Sequence, residues 1–497
     1  MKNGARPSAC ILHFAFCILF AAPLAGGAEI ADLTPDNALL YVEISRPAEL
    51  WAALQNTELR QTIRSSFATE FVLSFVSATS DLFCKTLTDR SLGEAFDRYG
   101  ITAGIISAPP DPVDPTGDPE LVMILHASAH AKELQDLLAS RVGNTLKARF
   151  PQVEVTDAQV GEHQVKRIAF SHKRVWALAF PGNCVAYGNP RAIDWMLTGT
   201  KRLGASPRFH AARKRIDLPN GPHVFCYSEA TEAAAKQALF YGPGTVMSAV
   251  LEIEARENGP SLVRDRIVLS DNVKPPPLGG ARECMIGSAF PRGPWLVNQV
   301  SFASGADMLD YFSMARTAKA PNNTLDRAFT GMGFLAATAE TANWAGIVFA
   351  AEVAEDAAAR EWLKSTGFKK NGDLWQRART TAVIRNGYFY LGRTALMEPL
   401  IERMAASEMK MIEDESGYGD RLKMLPGKGH AFSAMTAEFL LGPGCAKELQ
   451  QFKGILKRLA PFVARAENTD KGIEITSVSP CGYGIWLVSL NLSATLE

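Results

Sequence analysis

Hydrophobic positions along the chain fall into short runs of period two, separated by runs near period four, and the series occurs twice. In the first half, Leu40, Val42 and Ile44 share one face of the segment Ala38–Ile44, which is the alternation of a strand. Thr34-Pro35-Asp36-Asn37 precedes it as a turn. Pro47 suits a first helical turn, and Leu50, Leu54, Ile63, Phe67 and Phe71 recur at helical spacing, with a break near Asn56. Leu121–Leu125 predicts a buried strand, and His130–Arg141, bearing Leu134, Leu137 and Leu138, a helix. Val165–Phe170 and Val175–Phe180 predict further strands. Asn183–Gly188 leads to Asn189-Pro190, an N-cap with proline at the first helical position, and so to a helix at Arg191–Leu197. Val250–Glu257, a turn at Asn258-Gly259 and Leu262–Ser270 read as a β-hairpin.

The second half follows the same order. Pro291–Val300 matches Pro35–Ile44 in pattern. Ser304, with Asp307 three residues on, opens a helix carrying Met308, Leu309 and Phe312. Gly346–Ala350 and Glu355–Leu363 repeat the strand and helix of Leu121–Arg141, and Phe389–Gly392 with Leu396–Met404 repeats Val185–Gly188 and its helix. Leu425–Phe432 repeats Leu218–Phe225, and Gly472–Ser479 with Ile485–Leu496 predicts a closing hairpin. Between the halves stands Val273-Lys274-Pro275-Pro276-Pro277-Leu278-Gly279-Gly280. Prolines that fix φ and remove donors, then glycines that slacken the chain, are the composition of a connector. The expected organisation is a signal peptide at 1–28, a first domain at 29–272, a linker at 273–282 and a second domain at 283–497. The expected fold class is α+β: two related domains from a tandem duplication, each an antiparallel sheet with packed helices.

Composition changes this picture in one respect, the compartment. Lys2 and Arg6 precede the apolar run Cys10–Ala22, which Pro23 ends before the small residues Gly26-Gly27-Ala28. That is the layout of a cleaved signal peptide, with cleavage expected after Ala28. No later run is long and apolar enough to span a bilayer, and the expected location is periplasmic or extracellular. Lys plus Arg equals Asp plus Glu at 52 each, so no net charge draws the chain to nucleic acid. Six cysteines follow the signal: Cys84, Cys184, Cys226, Cys284, Cys445 and Cys481. An oxidising compartment permits disulfides, and Cys184 with Cys226 is a candidate bridge, against the alternative of buried thiols.

Leu33–Ile44, with its Pro-Asp turn into a strand, and Ser206-Pro207-Arg208-Phe209 followed by Leu218-Pro219, resemble a bacterial family of exported proteins carrying a domain of unknown function. The resemblance covers much of the first half and is weaker in the second, where Leu425-Pro426 is its clearest part. It implies export and duplication, and it brings no catalytic residue.

Candidate chemistry is sparse. His126 and His130 are four apart, but they straddle a strand end and a helix start, which spoils the geometry of a helical metal pair. His223 and His430 are placed alike in the two halves, each after Leu-Pro and a Gly-containing turn and just before an apolar strand. They are the candidate site residues, as ligand or acid–base groups of a duplicated site, against the plainer reading of a half-exposed residue opening a strand. The run from Asp414 to Asp420 lacks a glutamate at the twelfth position of a calcium loop, where Leu425 stands. Asp111, Asp114 and Asp118 sit between prolines as turn residues. The basic run Arg208–Arg215 reads as a solvated helix face. No nucleophile elbow, phosphate loop or Cys-x-x-Cys is present, and no cofactor is implied. The leading expectation is therefore a non-enzymatic exported protein with a binding or envelope-structural role; its partner is not specified by the sequence, with an envelope protein or an apolar small molecule as the candidates. The alternatives are a carrier of an apolar or lipid-like ligand and a hydrolase whose site is assembled from distant residues.

Overall fold

The computed structural model describes residues 27–479 except 59, 62–83, 86, 110–119, 150, 172–173, 231–241, 257–259, 274–276, 294, 313–321, 339–346, 407–408, 416, 426, 437–438, 440–458 and 460. Several expectations lie outside these residues: the signal segment up to residue 26, the helical run through Ile63, Phe67 and Phe71, the aspartates Asp111, Asp114 and Asp118, the turn Asn258-Gly259, Cys445, Cys481 and the last strand from Ile485. The fold is mixed α+β, and the strands pair antiparallel throughout. The chain divides into two compact units, with the boundary between Val273 and Lys274.

The first unit has ten described strands: β1 Leu40–Ser45, β2 Ile101–Ser107, β3 Leu121–Ala127, β4 Glu154–Val160, β5 His163–Ser171, β6 Arg174–Ala179, β7 Cys184–Gly188, β8 His223–Glu229, β9 Val246–Glu254 and β10 Leu262–Ser270. Their order in space is β10-β9-β8-β1-β2-β3-β7-β6-β5-β4. Helices cover both faces. On one face, Ile30, Ile193 and Phe209 from three helices pack with Tyr41, Ala186 and Phe225. On the other, Phe96, Tyr99, Leu134 and Leu146 pack with Ile168, Leu178 and Val185. Val185 and Ala186 are neighbours on β7 and serve opposite faces, as the pleat requires.

This double cover explains a departure from the sequence pattern. Alternation on β1 predicts one apolar face, yet all six residues of the strand are buried, Glu43 included. Strands buried on both faces lose the alternation. The opposite failure is β4, where Glu154, Thr156 and Asp157 are exposed, so its pattern carries no strand signal. Its charges suit the strand at the end of the sheet order, where they discourage pairing with another chain. The helix Leu92–Tyr99 shows no long apolar repeat but has strong ends. Ser91 and Glu94 form a reciprocal capping box, and Gly100 closes the helix at φ 53°.

The second unit also has ten described strands: β11 Trp295–Ser301, β12 Phe329–Thr338, β13 Ile347–Val353, β14 Lys369–Asn371, β15 Leu374–Arg377, β16 Thr380–Arg385, β17 Tyr388–Arg393, β18 Ala431–Met435, β19 Phe462–Thr469 and β20 Gly472–Ser479. Their order is β20-β19-β18-β11-β12-β13-β17-β16-β15-β14. Adding ten to each strand number of the first unit gives this order. The core centres on Phe329, Phe349, Trp362, Trp375 and Phe389, with Trp362 and Phe389 edge to face at 5.5 Å. Each such aromatic contributes about 1.5–3 kcal/mol by burial. Ser304 caps the helix Gly305–Tyr311 as the sequence predicts, accepting from the Asp307 N–H.

The stretch 277–282, read above as slack linker, is hydrogen-bonded within the second unit. The Gly279 N–H donates to the Ser301 carbonyl at 2.9 Å, and Arg282 exchanges backbone hydrogen bonds with Gly429. A Cβ on Gly279 would lie 2.2 Å from the Phe302 carbonyl oxygen. Here glycine serves close approach rather than slackness.

Candidate functional site

The register of β1 on β8 decides what the first unit gathers. Tyr41 lies opposite Tyr227, Glu43 opposite Phe225, and Ser45 opposite His223. Directly opposed residues share a face, so one face presents a carboxylate, an imidazole and three aromatic rings. The helix Pro207–Ile216 lies across them. Ser206 caps it by accepting from the Phe209 N–H, and Pro207 occupies its first position. Phe209, Ala212 and Ile216 are its buried stripe, the i, i+3, i+7 spacing of an amphipathic helix. Arg213, one turn beyond Phe209, is thereby aimed at the sheet.

Arg213 meets Glu43 there. Its Nη1 lies 2.5 Å from Glu43 Oε2 and its Nη2 donates to Oε1 at 3.4 Å. Tyr41 Oη donates to the same Oε2 at 2.8 Å. The guanidinium stands 5.1 Å from the Phe225 ring centre and 5.7 Å from that of Phe209, a cation–π geometry on two rings. Glu43 is 3% exposed, and a carboxylate so buried is tolerated only when paired and hydrogen-bonded. Burial, then the Glu43 charge, pushes the Tyr41 phenol well above its ordinary range, against the lowering pull of Arg213. The Tyr41 proton therefore stays on, and Tyr41 remains a donor to the carboxylate.

His223 opens β8 and is 6% exposed. Its Nδ1 lies 2.8 Å from the Gly221 carbonyl oxygen, which assigns the proton to Nδ1. Its Nε2 is buried and has no hydrogen-bond partner among the described residues. Burial holds the imidazole below the usual histidine range, opposed by the Gly221 carbonyl and the Glu43 charge. Arg213 adds to the lowering, and Glu252 opposes it. Chemically, the group is a helix clamp with a neutral imidazole beside it.

In the second unit, Gln299 lies opposite Phe432, the place that Glu43 takes opposite Phe225. Gln299 is 1% exposed. Its Oε1 accepts from the Met285 N–H at 2.6 Å, and its Nε2 donates to the Glu283 carbonyl at 2.8 Å. His430 immediately precedes β18 and is half-buried. Its carbonyl accepts from the Ser301 N–H, and its Nδ1 accepts from the Asn468 N–H at 3.3 Å. A half-exposed residue opening a strand thus describes His430, whereas His223 is buried.

The other sequence candidates disperse. His126 is buried in β3, while His130 stands at φ 51° before the helix Ala131–Arg149, its Nδ1 3.5 Å from Glu133. Among the described residues, no cluster of three or more His, Cys, Asp or Glu could hold a metal ion. A Cys184–Cys226 bridge is excluded. Cys184 lies on β7 and Cys226 on β8, with β1, β2 and β3 between them, about 19 Å at the usual strand spacing. Both are buried thiols. The basic run is solvated only in part. Arg208 donates to Glu229 and to the Gly244 carbonyl, Arg213 is bound to Glu43, and Arg215 donates to Ser270 Oγ. These arginines tie the helix to the sheet, Arg213 and Arg215 from half-buried positions, while Arg208 and Lys214 remain exposed.

Glu43, Arg213, Tyr41 and Gln299 are absent from the sequence candidates. One signal for them was available: a lone acid within Leu-Tyr-Val-Glu-Ile, matched by a glutamine at the aligned position of the second half. Among the described residues, no helix is long and apolar enough to cross a membrane. Compared with protein-family models, with curated proteins and with solved structures, the chain matches none.

Proposed function

We propose that the protein is one α+β module duplicated in tandem, exported, and used for binding or for envelope structure rather than for catalysis. The observation that carries this reading is the use made of one sheet position in both units. Glu43 and Gln299 are the buried polar residues opposite Phe225 and Phe432. Each spends its hydrogen-bonding capacity on the unit's own structure, one on a helix and one on a backbone turn. A position kept polar, buried and internally satisfied under two different chemistries is doing structural work. The shared strand order supports the duplication in the same way, because identical connectivity through ten strands is an unlikely outcome of separate origins.

The test has two arms. A reporter active only outside the cytoplasm, fused after residue 28, should be active. Native mass spectrometry of the full-length gene product purified from its own host should give a chain without residues 1–28 and without a small-molecule adduct. A retained apolar molecule would favour the carrier, and specific labelling by a serine- or cysteine-directed activity probe would favour the hydrolase.

A further inference from the structure

We propose that His223, beside the Glu43–Arg213 pair, is a pH-sensitive latch on the helix Pro207–Ile216: neutral, it lets the helix stay clamped, and protonated, it loosens the clamp. This goes beyond the reading above, since it assigns a regulatory device to the first unit alone.

The geometry is that of a group with no place to put a second proton. Nδ1 already faces the Gly221 carbonyl, and Nε2 is enclosed without an acceptor among the described residues. The charged groups that act on the ring come from three elements: Glu43 on β1, Arg213 on the helix and Glu252 opposite it on β9. Glu252 is in turn held by Arg266 of β10 at 3.3 Å, and Arg266 donates to the Asp217 carbonyl at the end of the helix. Arg264, opposite Glu252, is engaged by Glu254 at 2.9 Å.

A proton on Nε2 adds a cation between these ties. It repels Arg213 and competes with it for Glu43, the contact that holds the middle of the helix. It also attracts Glu252 away from Arg266, the contact that reaches the helix end. Both effects push in one direction, toward release of the helix. The sign follows from linkage. The folded unit holds the imidazole below its ordinary range, so the opened unit binds protons more readily than the closed one. The helix is fully held above the ordinary histidine pKa of about 6.5 and is progressively released as the pH falls below it. The second unit supplies an internal control. Its Gln299 does not ionise, and His430 is half-buried with its Nδ1 engaged by a backbone N–H.

Hydrogen exchange read by mass spectrometry on the full chain tests the latch, at about pH 7.5 and about pH 5.5, with rates corrected for intrinsic pH dependence. Peptides covering Pro207–Glu229 should lose protection at the lower pH, by up to about tenfold, the most that one pH unit below an open-state pKa of about 6.5 allows. Peptides covering Tyr418–Met435 should not change. His223→Gln should abolish the difference. Equal protection of Pro207–Glu229 at both pH values, or a pH response that survives in His223→Gln, overturns the proposal. Should that variant fail to fold, titration of the His223 ring protons in the unaltered chain decides. A midpoint below the ordinary range supports the latch, and one at or above it overturns it.

Discussion

Glu43 and Gln299 occupy the same place in two runs of ten strands with the same order, and they solve one problem by different means. Each is a buried polar side chain opposite a phenylalanine. The carboxylate of Glu43 needs a cation, and the helix Pro207–Ile216 brings one in Arg213. The amide of Gln299 needs one donor and one acceptor, and the backbone at Glu283 and Met285 gives both. The charged solution makes a side chain of the helix indispensable. The neutral one asks only for a turn in the right place. The first unit should therefore respond to pH and to the loss of single side chains in ways that the second does not.

The largest expected effect comes from Glu43→Ala. It leaves the Arg213 guanidinium, with its side chain only 26% exposed, without its carboxylate, and it removes the acceptor of Tyr41 Oη. Breaking a buried pair from one side destabilises by about 3 kcal/mol or more. Gln299→Ala orphans one backbone donor and one acceptor but no charge, for about 2 kcal/mol. Hydrogen exchange of β1 and β11 peptides in the two variants measures each loss locally. A larger loss for Gln299→Ala would break the contrast between the charged and neutral solutions.

A swap sharpens it. Gln299→Glu keeps the acceptor for the Met285 N–H but sets a second carboxylate oxygen against the Glu283 carbonyl, where the amide had donated. About 2 kcal/mol of destabilisation is expected near neutral pH. Protonation would restore a donor, so the new carboxyl should titrate above its ordinary range. The variant should then regain stability as the pH falls through that raised value, which is the opposite of the behaviour expected of the first unit. Urea unfolding at neutral and acid pH reads the difference, and a loss that does not shrink in acid would refute the account.

Much of this organisation was legible in the sequence because it is written in local signals. Asn189-Pro190 caps a helix where expected, Leu262–Ser270 and Gly472–Ser479 are strands as read, and Leu218–Phe225 aligns with Leu425–Phe432 in register as well as in pattern. What escaped is what depends on long-range pairing. β2 reads Ile-Thr-Ala-Gly-Ile-Ile-Ser, with a glycine that admits Ile30, whose Cγ2 would lie 2.7 Å from a Cβ at that position. Its strand character comes from β1, about sixty residues earlier in the chain, whereas the exposed β4 is held by the next strand, β5, across the turn at Gly161-Glu162. His223 was singled out by its position, but its partners Glu43 and Arg213 lie 180 and 10 residues before it. No spacing rule joins them. Only the register of β1 on β8 does.

The smallest expected effect concerns how the clamping helix begins. Ser206 caps Pro207–Ile216 by accepting from the Phe209 N–H at 3.4 Å, a long contact. In the second unit, the helix Tyr418–Lys423 starts at Gly417, with φ 81° and no side-chain cap. Ser206→Ala should therefore destabilise its helix by about 0.5–1 kcal/mol, at the weak end for a lost cap. Gly417→Ala should act through strain, since an alanine at that φ costs about 1 kcal/mol. The two substitutions look alike on paper and differ in mechanism, so a serine placed at 417 should not rescue the strain. If helix-peptide exchange shows Gly417→Ser as stable as the parent, the left-handed start is not a constraint. The two helices would then share a capping requirement that their different lengths conceal.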